Sequence, residues 1–180
     1  MSILKRLLYF TLTIVGGLLL TSCSSINVAE YKDQKPDFDF ENFFSGDLEA
    51  HGVFQSRSGK IIKKIHCLMK AEKKDGAVII NEDFTYSDGV KEHRQWIVKK
   101  NSEGKYIATA GDVVGEAKIE SAGFAFNMNY VLKLKVDGSE INVRMDDWMY
   151  RMNENTVINK TRMSKWGFYL GEVTFTIVKK

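Results

Sequence analysis

The chain has 180 residues, with 26 lysines and arginines against 23 aspartates and glutamates. This length corresponds to one domain. Nucleic-acid-binding domains are strongly basic, whereas this chain has a net charge of only +3. We therefore expect no nucleic-acid partner.

The first 22 residues have the pattern of an export signal. Lys5 and Arg6 precede an uncharged apolar run over residues 7–20, and small residues occupy positions 21 and 22. The apolar run of 14 residues is shorter than the roughly 20 residues that a membrane-spanning helix requires. Residues 1–22 are therefore predicted to be a signal peptide.

The junction Leu-Thr-Ser-Cys at residues 20–23 resembles the lipobox of bacterial lipoproteins. The resemblance implies that Cys23 is lipidated and that the protein is anchored in the cell envelope. In such lipoproteins the residue after the cysteine guides sorting, and Ser24, in place of Asp, implies that the protein is anchored in the outer membrane and faces the periplasm. The polar residues 23–39 are predicted to carry the lipid and tether the domain to the membrane. The alternative is an ordinary signal peptide cut nearby, with Cys23 a free thiol.

Cleavage before Cys23 would leave Cys67 as the only other cysteine. No disulfide within the domain is then available, although exported proteins fold in an oxidising compartment. Cys67 lies among Ile65, Leu68 and Met69, which favours a buried apolar thiol over a catalytic one.

Three Asp-Gly pairs predict β-hairpins, because a two-residue loop of this kind sets the register of its flanking strands. At residues 137–138 the predicted pairs are Leu134–Ile141, Leu132–Val143, Tyr130–Met145 and Met128–Asp147. At residues 75–76 they are Ala71–Ile80, Met69–Glu82 and Cys67–Phe84. Both hairpins then place an apolar row on one face. At residues 88–89 the same rule predicts a cross-strand ion pair of Asp83 with Arg94, and Thr85 opposite Glu92.

Further strands are predicted at residues 48–57, 106–110, 113–120, 156–163 and 168–178, for a total of about ten. A meander of this length must close or stack to avoid exposed edges. We therefore predict one all-β domain over residues 40–180, an antiparallel up-and-down barrel. The aromatic residues Phe40, Phe43 and Phe44 are predicted to form a short helix or turn that plugs one end.

Ordered motifs along the mature chain carry a family resemblance. They are Phe40-x-x-Phe43-Phe44-x-Gly46, Asp83-Phe84-x-Tyr86-x-Asp88-Gly89, Gly111-Asp112-Val113-Val114-Gly115, Asp146-Asp147-Trp148-Met149-Tyr150 and Arg162-Met163-Ser164-Lys165. This set resembles the bacterial lipoprotein family known as domain of unknown function 3833, which implies no particular activity. More distantly, the plan is similar to that of the calycins, which implies a lipocalin-like barrel.

The sequence contains no Gly-x-Ser-x-Gly, His-Glu-x-x-His or Cys-x-x-Cys motif, so no catalytic residue, metal site or cofactor is predicted. The predicted interior face instead supplies a candidate ligand site centred on Asp147, which must be paired, hydrogen-bonded or neutral if buried. The candidate ligand-binding residues are Asp147, Met128, Tyr130, Met145, Met149, Trp148 and Arg162. The alternative is a structural ion pair between Asp147 and Arg162 or Lys160.

Three hypotheses for the function follow. The first is a membrane-tethered lipoprotein that binds or carries a lipid or other hydrophobic ligand in its barrel. The second is an accessory envelope lipoprotein with a filled barrel, docking on a protein partner through Trp148, Tyr150 and Trp166. The third is an enzyme that uses Asp146, Asp147 or Glu82 as acid or base, which requires a perturbed pKa in an open cleft.

Overall fold

The computed structural model describes residues 26–136 and 138–180. The predicted signal peptide and the lipidation site at Cys23 lie outside these ranges and stay predictions. Among the described residues, no helix combines the length and hydropathy needed to cross a membrane.

Ten antiparallel strands form a closed barrel in which each strand pairs with its neighbours along the chain and β1 pairs with β10. The strands are β1 (Gly46–Ser56), β2 (Ile61–Lys74), β3 (Ala77–Tyr86), β4 (Lys91–Lys100), β5 (Tyr106–Thr109), β6 (Ala117–Ala122), β7 (Ala125–Val136), β8 (Ser139–Arg151), β9 (Thr156–Lys165) and β10 (Phe168–Lys179). The predicted up-and-down barrel is confirmed. Closure leaves no free edge along the sheet, which removes the main aggregation hazard of a long meander.

Two of the three predicted hairpin registers are confirmed. Met128 pairs with Asp147 and Tyr130 with Met145 across β7 and β8, and all three predicted pairs between β2 and β3 form. The β2–β3 turn has positive φ at both Asp75 and Gly76, as a two-residue type I′ turn requires.

The predicted register between β3 and β4 is wrong by one residue. Glu82, not Asp83, lies opposite Arg94. The turn contains three residues instead of two, because the Tyr86 N–H donates to Val90 O at 2.9 Å and the Gly89 N–H donates to Tyr86 O at 2.9 Å. Only the glycine of the Asp-Gly pair has a positive φ there, which is typical of the three-residue hairpin loop. A shift of one residue exchanges the two faces of a strand, so Glu82 and Arg94 both point into the barrel.

One end of the barrel, the plugged end, is closed by the residues before β1. The single-turn helix α1 (Phe40–Phe43) begins at Asp39, whose Oδ1 accepts from the Asn42 N–H at 3.2 Å. Phe40 stacks on Phe126 with ring centroids 5.1 Å apart, and Phe43 is 1% exposed. The predicted plug is therefore present, and it is held in place by burial of these aromatic rings.

The predicted tether is partly folded onto the barrel. A 3-10 helix, Val28–Tyr31, packs on β6 and β7 with Val28 buried. The Tyr31 ring meets Phe124 edge-on at 5.3 Å, and its carbonyl oxygen lies so near Gly123 that a β-carbon there would stand 1.8 Å away. All described core residues fall between Val28 and Ile177, so a chain that starts at Ser24 contains the complete described core and is expected to fold.

Candidate functional site

A cavity of about 370 Å³ occupies the barrel interior. It extends from Phe40 and Phe44 at the plugged end to Lys63, Tyr86 and Lys135 beside the hairpins at the other end, here called the open end. Apolar side chains of nine strands form most of the wall; they include Phe54, Ile65, Met69, Ile80, Phe84, Trp96, Val98, Ile119, Met128, Leu132, Met145, Met163, Val173 and Phe175. Such a wall binds apolar groups through the hydrophobic effect.

A polar cluster lies in this apolar interior, formed by Glu82, Arg94 and Asp147 with neighbouring polar groups. Arg94 Nε and Nη2 donate to the Asp112 carboxylate at 2.9 Å and 2.8 Å. Arg94 Nη1 lies 3.8 Å from Glu82 Oε2, which is longer than a hydrogen bond. Asp112 belongs to the loop between β5 and β6, so this loop anchors the guanidinium to one side of the cavity.

Glu82 has a buried oxygen without a partner. Its Oε2 makes no hydrogen bond within the described residues, and the residue lines the cavity. Burial raises the pKa of Glu82 from 4.5 to about 7, against the opposing effect of Arg94. With its pKa raised into the neutral range, Glu82 can take up a proton that an ordinary carboxylate would have lost, and its carboxyl group can donate or accept a hydrogen bond.

Asp147 is a second buried carboxyl group, 5% exposed. Its Oδ1 accepts hydrogen bonds from Asn159 Nδ2 and, at 3.0 Å, from Thr161 Oγ1. Burial raises the pKa of Asp147 from 3.8 to about 6, and these two hydrogen bonds lower it only in part. Burial also raises the pKa of the neighbouring Tyr130 hydroxyl, which therefore stays a donor at neutral pH.

Five of the seven predicted ligand-binding residues line the cavity. They are Met128, Tyr130, Met145, Asp147 and Met149. Whether they bind a ligand stays a prediction.

Trp148 and Arg162 do not line the cavity, because side chains alternate along a strand and their neighbours point inward. Trp148 packs outside against Tyr31 at 6.2 Å. Arg162 is exposed and lies over the Tyr169 ring at 4.7 Å. The suggested ion pair of Asp147 with Arg162 or Lys160 is wrong, since Thr161 lies opposite Asp147.

Sequence reasoning missed the pairing of Glu82 with Arg94. The cause was the assumed two-residue turn at residues 88–89. A signal was present, because the confirmed register of β2 and β3 places Glu82 opposite Met69 on an apolar row. A carboxylate at an apolar position indicates an interior polar site.

The three histidines do not converge, although two of them meet on the outer surface. His51 and His66 lie opposite each other on β1 and β2, and their Nε2 atoms lie 3.3 Å and 2.8 Å from Glu49 Oε1. These three side chains offer metal-ligand atoms within 4.8 Å of one another. His93 lies apart, with its Nδ1 2.8 Å from Asp83 Oδ1.

A solved structure with a similar fold is a phycobiliprotein lyase. The S-type phycobiliprotein lyase CPES from Guillardia theta aligns with a TM-score of 0.56 at 10% identity, over 78% of this chain and 90% of the lyase. A de novo designed fluorescence-activating β-barrel aligns with a TM-score of 0.39 at 14% identity, over 87% of this chain and 100% of the design. The likeness to the lyase supports the all-β barrel fold.

Similarity in sequence identifies the family. No curated protein matches this chain. A family model described as protein of unknown function (DUF3833) matches residues 17–179. Because this match spans nearly the whole sequence, the chain belongs to the DUF3833 family.

Proposed function

We propose that the protein binds a hydrophobic molecule inside its barrel, with a polar group of that molecule near Glu82 and Asp147. The observation that supports this function is a largely apolar cavity with a buried polar cluster at its wall. Its volume of about 370 Å³ falls within the range of roughly 300–1,000 Å³ found for small-molecule sites. The Glu82 carboxyl group lines this cavity and can offer a hydrogen-bonding position to the ligand.

The charges at the polar cluster favour a ligand whose group at that position is uncharged or cationic; the cavity's lysines, Lys63 and Lys135, lie at the open end. One guanidinium, that of Arg94, faces the carboxyl groups of Glu82, Asp112 and Asp147. Arg94 is already bound through two nitrogens to Asp112. Among the described residues of the polar cluster, Arg94 is the only cation and is already paired, so an anionic group placed there would be buried at a high cost in desolvation.

The proposed setting is the bacterial cell envelope. A lipidated Cys23 would anchor the protein in the outer membrane, with the barrel in the periplasm. The acyl chains would hold the domain close to the bilayer from which a hydrophobic ligand is drawn. Mass spectrometry of the protein from the membrane fraction should find acyl chains on an N-terminal Cys23, and Cys23→Ala should remove them; an unmodified Cys23 thiol in the wild-type protein would contradict the anchor.

The first experiment is native mass spectrometry of a chain that starts at Ser24, produced in bacteria and purified without detergent, with lipid extraction of the co-purified material. We expect one small hydrophobic molecule per barrel. Met128→Trp would fill the cavity and abolish binding of this molecule. Leu68→Trp adds the same ring on the outer surface and should retain the bound molecule. A bare polypeptide mass, unchanged after incubation with envelope lipids, would contradict ligand binding and favour the accessory role with a protein partner.

Two fluorescent probes test the charge preference. N-phenyl-1-naphthylamine is uncharged, and 8-anilinonaphthalene-1-sulfonate carries a sulfonate of similar aromatic shape. We expect the uncharged probe to bind and Met128→Trp to abolish its binding, with the anionic probe at least about tenfold weaker. Equal affinity for the two probes would contradict the proposed selectivity.

A further inference from the structure

Every hairpin at the open end of the barrel exposes a large apolar side chain. The most exposed are Trp166 at 86% and Phe168 at 72%, both at the β9–β10 hairpin. The complete set, here called the apolar rim, is Ile61 and Ile62 at β1–β2, Val90 at β3–β4, Val114 at β5–β6, Val136 at β7–β8, and Trp166 and Phe168 at β9–β10. Scattered surface apolar residues are normal, but one on each of five adjacent tips forms an organised surface.

The plugged end differs from the open end. Among its described hairpins, only β8–β9 carries an exposed large apolar residue, Met152. The β2–β3 and β4–β5 turns consist of polar residues and glycine. The apolar rim is therefore a property of the end at which the cavity opens.

The rim has a strongly cationic side. The β1–β2 and β9–β10 hairpins are neighbours, because Ser56 pairs with Gly171. Residues 57–64 and 164–168 contain no aspartate or glutamate. Their basic residues are Arg57, Lys60, Lys63, Lys64 and Lys165. Lys63 is paired with Asp88 at 2.6 Å, whereas Arg57, Lys60 and Lys64 are exposed.

We propose that the open end docks on the surface of an anionic phospholipid bilayer. Trp166 and Phe168, together with the aliphatic tips, would enter the head-group region, where aromatic side chains are favoured. Arg57, Lys60 and Lys64 would face the lipid phosphates. Each lysine or arginine near an anionic surface strengthens binding about fivefold.

A bilayer fits this surface through its shape as well as its charge. The apolar tips surround an opening, so a flat and deformable lipid surface can contact all five hairpins at once. In this orientation the mouth of the cavity faces the lipid, which provides a water-free route between bilayer and barrel. Docking itself does not require an occupied cavity, so it can be tested apart from the proposed ligand binding.

The test is cosedimentation of a chain that starts at Ser24 with vesicles of phosphatidylcholine alone, or of phosphatidylcholine and phosphatidylglycerol in equal parts. We expect binding to the anionic vesicles that weakens as salt is added, since screening reduces surface electrostatics. The Trp166 fluorescence should shift to shorter wavelength on binding.

Two pairs of matched variants identify the surface. Two double variants should each weaken binding to anionic vesicles about tenfold or more. The first combines Trp166→Ser with Phe168→Ser, and the second combines Lys60→Glu with Lys64→Glu. Two controls carry comparable changes, from apolar residues to Ser and from Lys to Glu, on exposed residues away from the open end. They are Met152→Ser with Leu68→Ser and Lys70→Glu with Lys99→Glu, and both should bind as the wild type does. Thermal unfolding monitored by circular dichroism checks that all variants fold.

Failure of docking and failure of ligand binding are distinguishable. Absence of binding to anionic vesicles, or equal loss in rim and control variants, overturns the docking proposal. If the rim substitutions instead abolish self-association in sedimentation, the rim is a contact between copies of the chain and the proposal is overturned. Native mass spectrometry of the rim variants should still show the cavity ligand, since Trp166 and Phe168 do not line the cavity.

Discussion

Glu82 and Arg94 face each other inside the barrel from adjacent strands, with Glu82 Oε2 3.8 Å from Arg94 Nη1. The guanidinium is turned toward Asp112, to which it donates through Nε and Nη2. Glu82 is consequently stabilised by charge without a hydrogen bond from its cationic neighbour. This arrangement explains why burial dominates and the pKa of Glu82 rises to about 7.

The stability of the protein should fall as the pH rises from about 5 to 8. Glu82 and Asp147 have folded-state pKa values of about 7 and about 6, above their ordinary values. The folded state therefore binds more protons than the unfolded state in this window, and the free energy of unfolding decreases with rising pH. This loss of stability is absent at pH values below the ordinary carboxyl pKa, and it is complete at pH values above the folded-state pKa. Surface carboxylates with a lowered pKa, such as Glu49, change the stability only at lower pH, outside this window.

Glu82→Gln tests this explanation, because the amide keeps the shape and cannot ionise. We expect a gain of roughly 1–3 kcal/mol in the free energy of unfolding at pH 8, and little change at pH 5. Urea unfolding at several pH values measures the effect. Asp83→Asn, at the adjacent exposed position, is the control and should stay within about 0.5 kcal/mol at pH 8. Identical pH profiles for wild type and Glu82→Gln would contradict a raised pKa.

Arg94→Met should destabilise the barrel by about 3–5 kcal/mol, because it leaves buried carboxyl groups without their cation. Methionine retains the apolar stem, so the loss reflects the charge. The matched control is Arg162→Met on β9, whose guanidinium is exposed on the outer surface; a change within about 0.5 kcal/mol is expected. Equal losses in the two variants, measured by urea unfolding, would contradict the interior role of Arg94.

Gly52→Ala should destabilise the closure between β1 and β10 by about 1–3 kcal/mol. A β-carbon at Gly52 would stand 2.3 Å from the Thr174 carbonyl oxygen and 2.4 Å from Phe175 Cδ1. Phe175→Leu should rescue only part of the loss, since the carbonyl oxygen remains. Gly111→Ala is the control, because nothing lies within 4 Å of its β-carbon position. A normal thermal midpoint for Gly52→Ala would show that β1 and β10 separate easily.

Cys67 should resist thiol reagents in the native protein. It is fully buried, and burial raises the pKa of its thiol, so neither access nor thiolate is available. In a chain that starts at Ser24, which has no other cysteine, the reaction with a water-soluble aromatic disulfide should follow unfolding by urea. Cys67→Ala with Leu68→Cys moves the thiol to an exposed position and should react at once. Rapid reaction of native Cys67 would indicate an open or mobile barrel wall.

Local sequence determined which side chains of β7 and β8 point inward. Residue alternation and the turn at residues 137–138 placed Met128, Tyr130, Met145 and Asp147 on one face, and the structure has these pairs. The inference succeeds because the two-residue period of a strand and the register of a tight turn depend on neighbouring residues alone. The barrel architecture was predictable for a different reason, since a meander of about ten strands must close or stack to avoid exposed edges.

Only the tertiary structure decided the polar cluster and the cavity. An Asp-Gly pair suits both two-residue and three-residue loops, so the turn sequence alone does not fix the register of β4. The pairing of β4 with β3 and β5 fixes it, and with it the inward direction of Glu82 and Arg94. Asp112 reaches Arg94 from 18 residues further along the chain. The cavity depends on how the side chains of all ten strands fill the closed barrel. That filling is a sum over the whole fold, so no local pattern specifies it.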